Sequence, residues 1–232
     1  MYPAQEMIKV EYRGIAKAWE EAIFEKDLLE HEVEFFPMFL EYAKKANRIL
    51  EVGAGNGRMI RILRKNGVKS DFFAVDITRR VKEINDADAN SVMADARTLP
   101  FKNESFDFVY SLGVIEHFPE TEQAIKEQSR VLRKGGYIFI TTPHFSLFAL
   151  QRYFKYLKEK EYKKGTFEEV KGRNLRLKDI KKWCESGNLK VIENRAVSLT
   201  IPFLHRFKFY KSLNRIFPSD KFGSFLYCVA EK

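Results

Sequence analysis

The sequence predicts an α/β protein built on a parallel β-sheet with helices on both faces. Three observations carry this expectation. An apolar run, Ile49-Leu50-Glu51-Val52, leads straight into Gly53, Gly55 and Gly57 and then into a helical stretch. Further short apolar runs alternate with helical patterns downstream, and strands alternating with helices imply parallel pairing through right-handed crossovers. At 232 residues with 45% hydrophobic residues, the chain can bury a full core without disulfide or metal staples.

Taken in order, residues 13–46 read as helical, with apolar positions at Ile15, Trp19, Ile23 and 35–40, broken near Pro37. These helices are expected to precede the sheet and cover a ligand. Residues 49–52 form the first strand. The three glycines after it bring bare backbone close to a ligand, with no Cβ atoms in the way. A helix over 58–66 follows. Residues 72–76 are a short buried strand closing on Asp76, about twenty residues past the glycines, where an acid accepts hydrogen bonds from both hydroxyls of a ribose. A third strand over 91–96 carries Asp95 and Ala96 at its end, and a fourth strand with its loop spans 105–118. The remainder reads as a helix over 121–132, a turn at Gly135-Gly136 before a fifth strand, a helix over 177–186 ended by Gly187, and closing strands at 190–199 and 223–231.

The spacing E-x-G-x-G-x-G, with Glu51 as its acid, resembles motif I of the class I S-adenosylmethionine (SAM) dependent methyltransferases. A dinucleotide oxidoreductase would want a third glycine where Arg58 stands. Asp95-Ala96 followed by Leu99-Pro100-Phe101 resembles that family's D-A-x-x-L-P-F segment. Phe106-Asp107-Phe108-Val109 with Glu116-His117 resembles F-D-x-V…E-H of the branch that includes the ubiquinone and menaquinone biosynthesis methyltransferases. Leu132-Arg133-Lys134-Gly135-Gly136 resembles L-K-P-G-G, with Lys134 replacing the proline. The resemblance covers roughly residues 46–143. It implies strand order 3-2-1-4-5-7-6 with strand 7 antiparallel, SAM as cofactor and S-adenosylhomocysteine as product. It also implies cofactor contacts from Glu51, Gly53, Ala54, Gly55, Gly57, Asp76, Ile77, Asp95, Ala96, Ser111, Leu112 and His117. Within these, Glu51 is tied to the methionine end, Asp95 accepts from the adenine amino group, the Ala96 backbone meets the ring, and His117 shapes the pocket.

Residues 1–232 are read as one methyltransferase domain with an N-terminal helical cover at 1–46. Two segments, 144–176 and 200–222, exceed the minimal pattern and leave the sheet at its ligand-binding end as substrate lids. Charge is concentrated near them: residues 1–150 carry 21 Lys+Arg against 23 Asp+Glu, residues 151–232 carry 20 against 9. Rings interleave with cations in both lids, Tyr153 and Phe154 beside Arg152 and Lys155, Phe207 and Phe209 beside Arg206 and Lys208. That pattern suits an apolar or aromatic acceptor with an anionic group, single-stranded RNA, or peripheral contact with an anionic membrane surface. For any one ring, packing of the lid against the core is the plainer reading.

Methyl transfer from a sulfonium asks mainly for an acceptor held in line in a dry site, so a general base is optional. His117, His144 and His205 are candidates, with Glu116 and Tyr12 behind them. His144, just past the fifth strand at the rim, is chosen as the catalytic candidate against the alternative of an exposed loop histidine. His31 is expected to be solvated. No ligand spacing for a metal is present, and Cys184 and Cys228 are expected reduced and buried. No apolar run approaches the roughly 20 residues of a membrane span and no signal-peptide pattern opens the chain, so a cytoplasmic location is expected. The function expected is methyl transfer from SAM to an oxygen or carbon of a small or lipid-like acceptor. The alternatives are an RNA (tRNA) methyltransferase, a non-catalytic SAM-binding protein and an NAD-dependent oxidoreductase. An Asn/Asp-Pro-Pro-Tyr/Phe turn, usual for methylation of nucleobase amino groups, is replaced by Ser111-Leu112-Gly113-Val114.

Overall fold

The computed structural model describes residues 28–84, 88–146, 173–197, 221 and 223–232. The expected helix over 13–27 and most of both lids lie outside the described residues. The elements run α1 (Glu30–Lys45), β1 (Arg48–Val52), α2 (Arg58–Lys65), β2 (Asp71–Asp76), β3 (Asn90–Met93), β4 (Phe106–Leu112), α3 (Thr121–Val131), β5 (Leu132–Pro143), α4 (Leu177–Ser186), β6 (Lys190–Val197) and β7 (Phe225–Glu231). Short 3-10 turns add Arg79–Glu83 and Ile115–His117.

Seven strands form one sheet in the order β3-β2-β1-β4-β5-β7-β6. Pairing is parallel from β3 through β5, while β7 runs antiparallel to both β5 and β6. Alternation along each strand divides the apolar residues between two cores. Ile49, Phe108, Phe139 and Val229 face α1 and α2; Leu50, Val109, Ile138 and Cys228 face the opposite layer, which includes α3 and α4. Cys184 of α4 and Cys228 of β7 are free, buried thiols with sulfurs 3.9 Å apart.

Several local expectations are corrected. Pro37 lies inside α1 without breaking it. An interior proline costs about 3 kcal/mol. Against that, Phe35, Phe36, Phe39 and Ala43 of the same helix are buried on the sheet, each phenylalanine contributing about 1.5–3 kcal/mol. The Phe39 ring alone packs 5.0 to 5.4 Å from those of Phe108, Tyr110 and Phe139. β3 ends at Met93, so Asp95 and Ala96 sit in the turn beyond it. Gly135-Gly136 is an irregularity inside β5, where the register with β4 shifts between Phe106 and Phe108. A Cβ at Gly136 would lie 2.9 Å from the backbone oxygens of Arg133 and Asp107, so glycine lets the strand pass close.

Candidate cofactor and acceptor site

The site is built at the carboxyl ends of β1, β2 and β4, where the strand order reverses on either side of β1. Gly53 and Ala54 donate their amides to the Val75 carbonyl at 2.8 and 2.9 Å, stitching the turn to β2. Gly53 has φ +76°, and a Cβ there would sit 2.2 Å from Val114 Cγ2 of the β4 loop. Both handedness and space therefore demand glycine. At Gly55, φ is +53° but the space where a Cβ would stand is open. Its amide donates to Asp76 Oδ2 at 2.7 Å, while Asp76 Oδ1 accepts from the Thr78 amide and hydroxyl, both at 2.7 Å. Asp76 thus braces the glycine turn from the tip of β2, with Ile77 half-buried beside it.

Two carboxyl groups are buried without full hydrogen bonding. Glu51 is 5% exposed, and burial pushes its pKa up to about 8 despite Tyr110 and Arg58 nearby. The Tyr110 hydroxyl lies within interaction range of the carboxyl, but neither it nor Oε2 makes a well-formed hydrogen bond. Arg58, at the head of α2, pairs with Glu32 of α1, Nη1 lying 2.8 Å from Oε2 and Nη2 in contact with Oε1. On the β4 side Glu116 is 3% exposed and burial again raises its pKa to about 8. The Thr142 hydroxyl lies within interaction range of the carboxyl, but neither it nor Oε2 makes a well-formed hydrogen bond, and the Ser111 hydroxyl is unpartnered. His117 lies against it, Nε2 to Oε1 at 3.7 Å. Buried polar atoms left without partners are costly, and a site awaiting a polar ligand is one physical reason for them to persist.

The turn after β3 is held by a buried ion cluster. Arg97 donates from Nε to Asp95 Oδ1 at 2.9 Å and from Nη2 to Oδ2 at 2.6 Å, and its Nη1 reaches Glu120 Oε2 at 2.9 Å. The guanidinium lies 5.4 Å from the centre of the Phe118 ring. Opposite-charge hydrogen bonding dominates its environment and raises the Arg97 pKa further.

His144 is not at an exposed rim. It is 3% exposed, its Nδ1 lies 3.1 Å from the Gly223 carbonyl oxygen and its amide donates to Ser224 O at 2.9 Å. Pro143 and Val197, which lead into the two insertions, both register opposite Phe225. Where the first insertion returns, Leu175 bridges to His144, and Arg173 donates its amide to Glu116 O at 3.0 Å and its guanidinium to Thr121 Oγ1 at 2.6 Å. The returning chain is thereby tied to the β4 loop.

The structure therefore brings together Glu51, Gly53, Ala54, Gly55, Gly57 and Asp76 around one turn. Ser111, Leu112 and His117 follow on β4 and its loop, whereas Asp95 and Ala96 come from the turn after β3. His144 sits between β5 and the Gly223-Ser224 approach to β7. Arg97, Arg173 and the Glu32–Arg58 pair are not singled out by sequence reasoning. An arginine two residues past a strand-end acid is the only signal for Arg97, and solvent-facing arginines give the same one. Among the described residues no group of three His, Cys, Asp or Glu side chains could hold a metal ion, and no helix is long and apolar enough to cross a membrane.

Residues 50–140 match the methyltransferase domain family. Over 151 residues the chain is 30% identical to a Xenopus tropicalis tRNA (carboxymethyluridine(34)-5-O)-methyltransferase, covering 60% of this chain and 22% of that one. Over 148 residues it is 31% identical to 2-methyl-6-phytyl-1,4-hydroquinone methyltransferase 2 of rice, covering 58% and 42%. A ubiquinone biosynthesis O-methyltransferase of Coxiella burnetii is 24% identical over 172 residues, covering 68% and 71%. The chain thus spans less than half the length of the first two of these relatives. A Methanosarcina mazei SAM-dependent methyltransferase shares the fold with a TM-score of 0.61 at 18% identity, covering 84% of this chain and 97% of that one. This chain's sheet order and motif turn are those of the class I SAM-dependent methyltransferase fold, and residues 50–140 match the methyltransferase domain family.

That family uses SAM, and the residues present fit it. Glu51 Oε2 and Ser111 Oγ are buried acceptors without well-formed hydrogen bonds, and Gly55 faces open space. An ammonium and a polar nucleoside would satisfy such groups.

Proposed function

We propose that this protein transfers the methyl group of SAM to an oxygen or carbon of a small or lipid-like acceptor. One observation carries the reading: buried polar groups without well-formed hydrogen bonds occur both at the cofactor turn, in Glu51, and on the β4–β5 side, in Ser111, Glu116 and Thr142. When bound, SAM supplies an activated methyl group on a sulfonium. Glu51 would hold the ammonium of its methionine end. Asp76 and Ile77 would take the ribose and adenine, with Asp95 and Ala96 at the ring edge. The Ser111-Leu112 corner and His117 would complete the wall. Of the acid–base candidates, Glu116 suits the task better than His144. Its pKa is raised to about 8 and its second oxygen makes no well-formed hydrogen bond, whereas His144 Nδ1 is engaged with Gly223. A protonated Glu116 would orient an acceptor hydroxyl; ionised, it would accept that hydroxyl's proton.

The rice and Coxiella relatives, a phytylhydroquinone methyltransferase and a ubiquinone O-methyltransferase, support a lipid-like phenolic acceptor. A second reading has an observation of its own: the Xenopus relative is a tRNA methyltransferase, and the last third of this chain is strongly basic. Calorimetric titration with SAM, S-adenosylhomocysteine and NADH tests the cofactor. Micromolar binding of the first two and none of NADH is expected; the reverse would reject the reading. Labelled-methyl transfer to prenylated hydroquinones against bulk tRNA then decides between acceptors.

A further inference from the structure

We infer that Arg97 is a positioning residue for adenine, holding the Asp95 carboxylate oriented to read the exocyclic amino group of the ring. This rests on the SAM-site reading above.

A carboxylate offers about four acceptor sites, two on each oxygen. Oδ1 of Asp95 accepts from the Arg97 amide at 2.8 Å and from Nε at 2.9 Å, which fills it. Oδ2 accepts from Nη2 at 2.6 Å, with Nε a longer 3.2 Å away. One acceptor site, on Oδ2, is left over. A neutral amino group donates into such a site. A carbonyl in its place would set lone pair against lone pair.

The arginine is itself immobilised. Its third arm is held by Glu120 at 2.9 Å, and its plane lies beside the Phe118 ring. The turn carrying it is fixed by the Thr98 amide donating to Asp95 O at 3.0 Å and by Gln123 donating to Arg97 O at 3.1 Å. A planar fork supplies the two parallel bonds that set the carboxylate's tilt; a lysine ammonium, a single charged point, cannot. Because Phe118 and Glu120 directly precede α3, the same arginine joins the adenine turn to the loop that carries Glu116.

The test compares binding of S-adenosylhomocysteine with that of S-inosylhomocysteine, in which a carbonyl replaces the amino group, in wild type, Arg97→Lys and Arg97→Gln. Thermal melts run alongside. Wild type should prefer the adenosyl compound by about tenfold or more, the usual worth of a hydrogen bond to a charged acceptor. In the folded variants that ratio should fall at least about fivefold, by weaker binding of the adenosyl compound, with Arg97→Lys failing to rescue it. Wild type that binds both compounds equally overturns the inference without recourse to any variant, as does a folded variant that keeps the wild-type ratio. Wild type that binds neither compound would instead reject the SAM site itself.

Discussion

Glu51 and Glu116 are carboxyls whose burial lifts their pKa from the ordinary 4.5 to about 8, so the folded protein keeps protons that the unfolded chain has released across that interval. Stability contributed by such a group is fully present below about pH 4.5 and is lost as pH rises toward about 8. Glu116→Gln escapes that loss. It should match wild type near pH 4.5 and melt higher by roughly 10–20 °C near pH 8–9, each pKa unit being worth about 1.4 kcal/mol. A melting-temperature gap that does not vary with pH would assign the effect elsewhere. For Glu51 the expected signature is in binding. A cofactor ammonium beside the buried carboxyl favours its ionised form, so S-adenosylhomocysteine should bind more tightly as pH rises from 6 to 8, with proton release. Calorimetry in two buffers of different ionisation heat measures that release, and Glu51→Gln should abolish it. The glycines give a graded contrast. Gly53→Ala meets both a left-handed φ and Val114, while Gly55→Ala meets only the φ. The first should weaken S-adenosylhomocysteine binding at least about tenfold more than the second, which bears only the ~1–2 kcal/mol of strain.

At the scale of elements, α1 is bound to the head of α2, just past the glycine turn, through charge as well as to the sheet through its phenylalanines. Glu32 closes its own first turn by accepting from the Leu29 amide at 2.8 Å and pairs with Arg58 at the head of α2. Glu32→Ala removes the carboxylate partner of a largely buried guanidinium and should cost about 3–5 kcal/mol. Urea melts would show the loss, and amide exchange should quicken first in residues 30–45. How legible these elements were follows from the same physics. Continuous apolar runs such as 72–76 were readable because a parallel strand covered on both faces needs them. The course of α1 through Pro37 was not, because burial of Phe35 and Phe39 is a tertiary matter that local rules do not see. β3 looked longer than it is because its burial is partial and alternating, so nothing in the pattern marks its end. Side-chain direction was the least legible. His31 read as solvated yet stacks on Phe225 at 3.8 Å, where burial lowers its pKa. Arg97 gave no sign that it folds back onto Asp95.

For the whole molecule, the net charge of +9 resides in the last third of the chain, well away in sequence from the cofactor motifs. If tRNA is the acceptor, six or more phosphate contacts would make affinity fall about 10³-fold or more between 50 and 200 mM salt. Filter binding over that range measures it, and a shallow slope would leave the small acceptor. The sheet order carries a further consequence. β7 lies between β5 and β6, so the strand made last is the one that joins its two predecessors. During synthesis, β1 to β5 can assemble as soon as they emerge, but β5 keeps one open edge and β6 has no neighbour until residue 231 is free. Nascent chains halted before Phe225 would therefore display an unpaired, apolar strand edge, the kind of surface chaperones bind and other chains stick to.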